Sequence, residues 1–249
     1  MSPLHAVAIL LAGVIAGTIN TVVGSGTLFT FPILLAFGYA PVVANVSNTV
    51  GLVPGSVAGV VGYRQELAGQ RRRTIPLAAA SVLGGVAGAA LLLILPASAF
   101  RAIVPAFIAL AVVLILAQPA LARRLARRRP PRRHAGPWTW TGVLASGMYG
   151  GYFGAAQGIL LLAILGLGID DELQRINALK VVLAGLVNLV AGIVFIAVAH
   201  VDWAVAGLIA AGSATGGVIG ARAGRRLSER WLRALIVAVG TVAVIRLLT

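Results

Sequence analysis

Residues 81–89 read Ser-Val-Leu-Gly-Gly-Val-Ala-Gly-Ala, and residues 213–221 read Ser-Ala-Thr-Gly-Gly-Val-Ile-Gly-Ala. The pattern S-x-x-G-G-V-x-G-A thus occurs twice, at the same offset as a second matched pair, Arg101-Ala102-Ile103-Val104 and Arg233-Ala234-Leu235-Ile236. Further out, Gly13, Gly17 and Gly24 are matched in spacing by Gly147, Gly151 and Gly158. Three aligned matches make chance a poor explanation. The chain reads as two homologous halves, 1–121 and 138–249, joined by an arginine-rich linker over 122–137.

Composition says what medium those halves live in. Of 249 residues, 59% are hydrophobic and 10% charged, whereas a soluble domain has about 45–50% apolar and about 25% charged residues. Too little polar surface is available to face water, so the chain reads as an all-α polytopic membrane protein and a soluble enzyme is excluded. The short alternating strands of a membrane barrel are absent. With no cysteine there is no disulfide, thiolate metal site or thiol chemistry. The apolar run from Leu4 has no basic flank or cleavage site and reads as part of the fold.

A spanning helix needs roughly 20 apolar residues, and six segments fit: near 41–63, 74–95, 99–121, 174–199, 203–222 and 230–248. Two others, near 4–38 and 138–168, are long, rich in glycine and too short to cross twice. These read as broken or re-entrant helices, which are tolerated at membrane depth where protein or a watery cavity surrounds the irregular backbone. Each half then has four segments, for seven or eight membrane segments in all.

The net charge of +14 comes from nineteen arginines and one lysine against six carboxylates. The arginines cluster at Arg64, Arg71, Arg72 and Arg73; at Arg123, Arg124, Arg127, Arg128, Arg129, Arg132 and Arg133; and at Arg222, Arg225, Arg226, Arg230 and Arg233. Clusters flanking membrane segments mark cytoplasmic loops in contact with anionic lipid. Without interleaved aromatics they do not read as a nucleic-acid surface. The basic loop 64–73 aligns with 196–205, which carries only His200 and Asp202, while the nearly neutral turn 96–100 aligns with the basic stretch Arg225–Arg230. Equivalent loops of opposite character predict inverted halves, as in many secondary transporters. Inversion requires an odd number of crossings per half, which holds if the glycine-rich first segment enters and returns. Eight plain spans with parallel halves is the alternative, and it places a neutral and a basic loop on the same side.

Polar residues inside apolar segments are costly, so they mark candidate function, with helix–helix hydrogen bonding as the competing role. In the first half these are Asn20, Ser25 and Thr27 around the Gly24-Ser25-Gly26 break, then Asn45, Ser47, Asn48 and Thr49. In the second they are Gln157, Asn177, Lys180 and Asn188. Breaks at Gly24–Gly26 and Gly154–Gly158 expose helix N-termini, which favour anions. The lone lysine, Lys180, either snorkels to the interface or binds a ligand. Asn177, Lys180 and Asn188 share roughly one helical face. Pro32 and Pro54 interrupt apolar segments. Asp170-Asp171-Glu172 reads as a solvated loop and Asp202 beside Trp203 as an interfacial anchor. His5, His134 and His200 lie far apart, so no metal or other cofactor is expected.

The stretches Asn20-Thr21-Val22-Val23-Gly24-Ser25-Gly26-Thr27-Leu28, Phe31-Pro32, Ala44-Asn45-Val46-Ser47-Asn48-Thr49, Pro54-Gly55-Ser56 and Tyr63-Arg64 resemble the TauE/SafE family of sulfite-exporter-type membrane transporters. So do Tyr149-Gly150-Gly151-Tyr152-Phe153-Gly154-Ala155, Asn177-Ala178-Leu179-Lys180 with Asn188, and Val201-Asp202-Trp203. Ser25 stands where relatives often have glycine and Ser47 where they often have threonine. The resemblance implies a bacterial inner-membrane permease for small anions, often sulfite or organosulfonate-related compounds, with no enzymatic step. The expected site comprises Asn20, Ser25, Gly26, Thr27, Ser47, Asn48 and Thr49 facing Gln157, Asn177, Lys180 and Asn188. A non-transporting scaffold or receptor leaves the paired glycine breaks without a role, and a membrane-embedded enzyme lacks an acid, base and nucleophile set.

Overall fold

A computed structural model describes residues 1–127 and 136–223, with 234, 236–239 and 241. All the regular structure among them is helical: α1 (Pro3–Val22), α2 (Thr27–Ala36), α3 (Pro41–Gly62), α4 (Arg64–Leu67), α5 (Arg71–Ile94), α6 (Ala97–Arg127), α7 (Pro137–Tyr152), α8 (Gln157–Gly168), α9 (Leu173–Val198) and α10 (Trp203–Ala223). The segment expected near 230–248 lies largely outside the described residues, as do Arg128, Arg129, Arg132, Arg133, Arg225, Arg226, Arg230 and Arg233. Proline opens α1, α3 and α7, where its missing N–H costs nothing.

Among the described residues, five helices are long and apolar enough to cross a membrane: Pro3–Val22, Arg71–Ile94, Ala97–Ala120, Leu173–Val198 and Trp203–Arg222. At 22 residues α3 has the length, but the run Asn45, Ser47, Asn48 and Thr49 lowers its hydropathy, and all four side chains are buried. Large apolar side chains such as Leu4, Ile75, Leu116 and Ile193 point outward, an arrangement suited to lipid rather than water.

The two long glycine-rich segments are each a hairpin of two helices. Between α1 and α2 the backbone turns at Gly24, with φ of +88°, a left-handed conformation that only glycine adopts freely. Beyond it Gly26 lies so close to the Ala16 carbonyl that any side chain would collide. Further along, the Phe37 ring stacks on His5 with centroids 4.2 Å apart. Helix α2 therefore runs back beside α1 to the end where the chain began. The α7–α8 hairpin turns at Gly154, φ +78°, and returns so that Gly142 abuts Ile164 and Gly168 abuts Thr139. The glycine sharing Gly24's conformation is thus Gly154, one helical turn before Gly158, which the spacing paired with it.

The hairpins open at opposite ends of the bundle. At the end carrying Arg71, Arg72 and Arg73, Arg73 pairs with Asp171 in the α8–α9 connection and Gly62 at the end of α3 touches Ala221 of α10. At the other end, the Asp202 N–H donates to Ser47 Oγ near the start of α3 (2.9 Å), beside Tyr39 and the mouth of the first hairpin. So α3 and α10 run toward the basic end, and α5 and α9 start from it.

The repeated serine–glycine motif does the same packing job twice. In α5, side chains at Gly84 and Gly88 would strike the Leu144 and Met148 carbonyls of α7; in α10, one at Gly216 would strike the Val14 carbonyl of α1, and one at Gly220 would crowd Thr21 and the Thr18 carbonyl. Close backbone approach of this kind replaces the hydrophobic drive that helices lack inside lipid. The two serines differ in their partners. Ser213 Oγ donates to the Gly51 carbonyl (2.7 Å) and accepts from the Gly55 N–H (3.2 Å), inserting a hydroxyl into the helical ladder of α3 beside Pro54. A proline with an inserted polar group is a recognised cause of a helix kink.

Candidate functional site

The tips of the two hairpins meet. Gly158 N–H donates to the Gly24 carbonyl (2.9 Å), and a Cβ on Gly24 would lie 2.5 Å from the Gly158 Cα. Each tip leads into the N-terminus of a short helix with no side-chain cap, α2 behind Gly26 and α8 behind Ala156. Ala156 is held at φ 60°, a strained conformation for a residue with a Cβ. The N–H groups of Ser25, Gly26, Thr27, Ala155 and Ala156 make no hydrogen bond among the described residues. Beside this junction two buried side chains lack partners: Ser25 Oγ, with the residue 1% exposed, and Gln157 Nε2, with the residue 3% exposed. Unpaired donors and two partial positive helix ends make the junction electropositive.

The other expected residues fall into distinct groups. Thr27 and Asn48 join at the base of α2, where Asn48 Nδ2 donates to Thr27 Oγ1 (3.3 Å). Gly26 caps α2, and half-buried Asn20 lies beside it. Thr49 Oγ1 turns back to the Asn45 carbonyl (2.9 Å). Ser47 holds the Asp202 N–H toward the non-basic end. Asn188 Nδ2 reaches Ser56 Oγ (3.4 Å) where α9 crosses α3. Asn177 is buried one turn from Lys180. The stripe on α9 therefore divides, with Lys180 directed at α1 and Asn188 at α3.

Lys180 does not snorkel. It is 1% exposed, and its Nζ donates to the Thr21 carbonyl in the last turn of α1 (3.3 Å). A cation at a helix C-terminus complements the helix dipole. A second clamp mirrors it: Asn45 Nδ2 donates to the Tyr152 carbonyl at the end of α7 (3.0 Å). In each case a long helix of one half secures the outgoing helix of the other half's hairpin.

Three residues near the tips were absent from the expected site. Asn45 serves as a clamp and has an unpartnered Oδ1. Thr30 donates to Asn48 Oδ1 (2.5 Å). The buried Tyr152 hydroxyl has no partner, and its ring packs on Phe100 and Phe107 of α6. Thr30 was detectable as a polar residue in an apolar stretch three positions after Thr27, but the pairings of Asn45 and Tyr152 depend on tertiary contacts.

Asp171 is no solvated bystander. It accepts from Arg73 Nη2 and from Arg175 Nε (3.0 Å). Burial raises the carboxyl pKa, but the bonds from Arg73, Arg175 and the Glu172 N–H, together with the Arg73 charge, hold it below the ordinary aspartate value. Gln70 Nε2 adds a bond to the Arg175 carbonyl (3.1 Å). Elsewhere, an apolar cavity of about 300 Å³ between α3, α9 and α10 is lined by residues including Pro54, Ile193 and Trp203, and no hairpin-tip residue faces it.

Comparison with known proteins bears on this arrangement. The chain is 25% identical over 254 aligned positions to the probable membrane transporter protein YfcA of Escherichia coli (strain K12), covering all of this chain and 91% of that one. It is 28% identical over 241 positions to the probable membrane transporter protein ORF9 of Sinorhizobium sp., covering 95% and 90%. No solved structure matches. The family model described as sulfite exporter TauE/SafE matches residues 9–247, nearly the whole chain. With its apolar helices, this makes the chain a multi-pass membrane transporter protein of the TauE/SafE family.

Proposed function

We propose that the chain is a secondary transporter for a small oxyanion, sulfite or a related sulfur oxyanion or organosulfonate, bound where the hairpin tips meet. The observation that carries this reading is the junction itself. Two uncapped helix N-termini arrive there from opposite ends of the bundle, beside the unpartnered buried Ser25 Oγ and Gln157 Nε2. Such a site replaces the water around an anion with fixed donors. Thr27 and Asn48, joined at the base of α2, supply polar lining from the first half, and Asn177, one turn from Lys180, from the second. Lys180, clamped on α1, contributes its positive charge close to the tip.

The architecture is read as an inverted repeat, 1–121 against 138–249, with α1–α2 and α7–α8 entering from opposite faces and returning. Support comes from the opposite openings of the hairpins and from the mirrored clamps of Lys180 and Asn45. In such folds broken helices meet at mid-membrane and access alternates by rocking. The basic end, with the linker, is assigned to the cytoplasm of a bacterial inner membrane, where its arginines meet anionic lipid.

Liposomes containing the purified protein and loaded with radiolabelled sulfite or sulfate test the reading. Flux above that of empty vesicles is expected, and no flux across a broad anion panel with folded protein refutes it. Single cysteines placed at 64–73 and at 200–203 are expected to label from opposite sides of the membrane. Labelling from one side refutes the inversion.

A further inference from the structure

We infer that Thr30 and Asn48 form a relay that fixes Thr27 as a hydrogen-bond donor to the bound anion. This rests on the anion-site reading above and assigns roles within it: Thr27 as a specificity-determining residue, and Thr30 and Asn48 as residues that position its proton.

Thr30 Oγ1 lies 2.5 Å from Asn48 Oδ1, and Asn48 Nδ2 lies 3.3 Å from Thr27 Oγ1. Hydroxyl-to-oxygen bonds span roughly 2.5–3.0 Å, whereas amide N–H donors sit at roughly 2.7–3.2 Å. Thr30 Oγ1 also reaches the Gly26 carbonyl at 3.4 Å, but the nearer acceptor is the Asn48 amide oxygen, which takes its proton, and this sets which way the Asn48 amide faces. Its nitrogen is then turned to Thr27, whose hydroxyl oxygen accepts. A hydroxyl has one proton and two acceptor sites. With an acceptor site taken by Asn48, the Thr27 proton is left to donate, and no described residue receives it.

Thr27 is the first residue of α2 and follows the unbonded N–H groups of Ser25 and Gly26 and the unpartnered Ser25 hydroxyl. The proton that the relay releases thus belongs to the same cluster of donors. All three side chains of the relay are buried, so water does not compete for these bonds. A first-half wall made of donors selects a deprotonated oxygen and discriminates against neutral ligands that present hydrogens. If Asn48 were rotated, its oxygen would absorb the Thr27 proton and the wall would lose a donor.

The test is a double-mutant cycle on the detergent-purified full chain, titrated with sodium sulfite and, separately, sodium sulfate in a calorimeter. Thr27→Val is expected to weaken binding about tenfold or more, the effect of losing one bond to a charged group. Thr27→Ser is expected to retain affinity. Thr30→Val should also weaken binding in the wild-type background, but should add nothing in the Thr27→Val background, because it acts only through Thr27. Wild-type affinity in Thr27→Val, or an equal loss from Thr30→Val in both backgrounds, overturns the relay while leaving the anion site standing. Failure of the wild type to bind either anion overturns the anion site and the relay with it. Should Thr27→Val not fold, Thr27→Ser and Thr30→Val decide, and wild-type affinity in Thr30→Val overturns the proposal.

Discussion

Replacing Gly24 by alanine tests whether the hairpin tips meet as described, and two control substitutions separate the contributions. At Gly24 two penalties coincide: φ is +88°, and the added Cβ would lie 2.5 Å from the Gly158 Cα. Left-handed backbone costs a residue with a Cβ roughly 1–2 kcal/mol, and overpacking a tight contact costs roughly 1–3 kcal/mol. Gly24→Ala is thus expected to lose about 2–5 kcal/mol of stability. Gly38 has almost the same φ, +86°, with nothing within 4 Å of its Cβ position, so Gly38→Ala reports the backbone penalty by itself. Gly158 is not in the left-handed region but faces the Gly24 backbone, so Gly158→Ala reports the contact. Thermal unfolding of the purified protein, followed by loss of the monodisperse peak, should rank Gly24→Ala as the most damaged. Flux should be lost in both Gly24→Ala and Gly158→Ala and kept in Gly38→Ala. If Gly24→Ala unfolds no earlier than Gly38→Ala, or Gly158→Ala behaves as wild type, the tips are not in contact and the junction is not the site.

Ser213→Ala removes the hydroxyl between the Gly55 N–H and the Gly51 carbonyl and should cost about 1–3 kcal/mol for the buried backbone groups left unpaired; an unchanged melting temperature would mean that α3 closes its own ladder. For Asp171 the folded pKa lies below the ordinary value of 3.8, so its contribution is present above that pH and lost as pH falls through the folded value. Asp171→Asn should therefore melt lower than wild type at neutral pH, by about 1 kcal/mol or less for a partly exposed network, with the gap closing under acid; a gap independent of pH counts against the ion pairs. Lys180→Ala leaves the Thr21 carbonyl without its donor, so anion binding should be lost and the melting temperature lowered together; binding at wild-type affinity would reduce Lys180 to a clamp.

What could be read from the sequence followed from periodicity and chemistry that act locally. Apolar length located the helices, and Gly24 and Gly154 marked the turns because few other residues tolerate that backbone. The serine–glycine motif was legible as a repeat, while its role in close helix packing came only with the fold. Partners were another matter. Ser81 and Ser213 occupy the same place in the motif, yet Ser213 bridges α3 and Ser81 Oγ has no partner, since only α3 carries a proline-disrupted ladder facing it. Spacing alone paired Gly24 with Gly158, whereas the fold places those two in contact. Burial of Lys180 was equally out of reach: snorkelling and ligation both put a lysine near a helix start, and only the position of the α1 terminus decides between them.

The packing also bears on which parts can move. Helix α10 lies against α1 and α3, and α5 lies against α7 and α9, so each half of the sequence lends one helix to the other's hairpin. These seams are the glycine contacts where carbonyls take the place of side chains, and separating them would expose polar backbone at membrane depth. A rigid rocking of residues 1–121 against 138–249 would have to open both seams. A motion that carries α10 with α1–α3, and α5 with α7–α9, opens neither, but would work against the α3–α9 crossing, the Lys180 and Asn45 clamps and the bond between the hairpin tips. The chain passes between those two groups through α4 and through the 199–202 connection, which are short. On the basic side α4 is tied to the α9 group, since Gln70 Nε2 bonds the Glu66 carbonyl (2.6 Å) as well as that of Arg175 (3.1 Å). On that side the chain leaves α3 through Gly62 and the buried Tyr63, which packs with Ala178 and Val181 of α9 and Ala221 of α10, so the end of α3 is held by both groups at once.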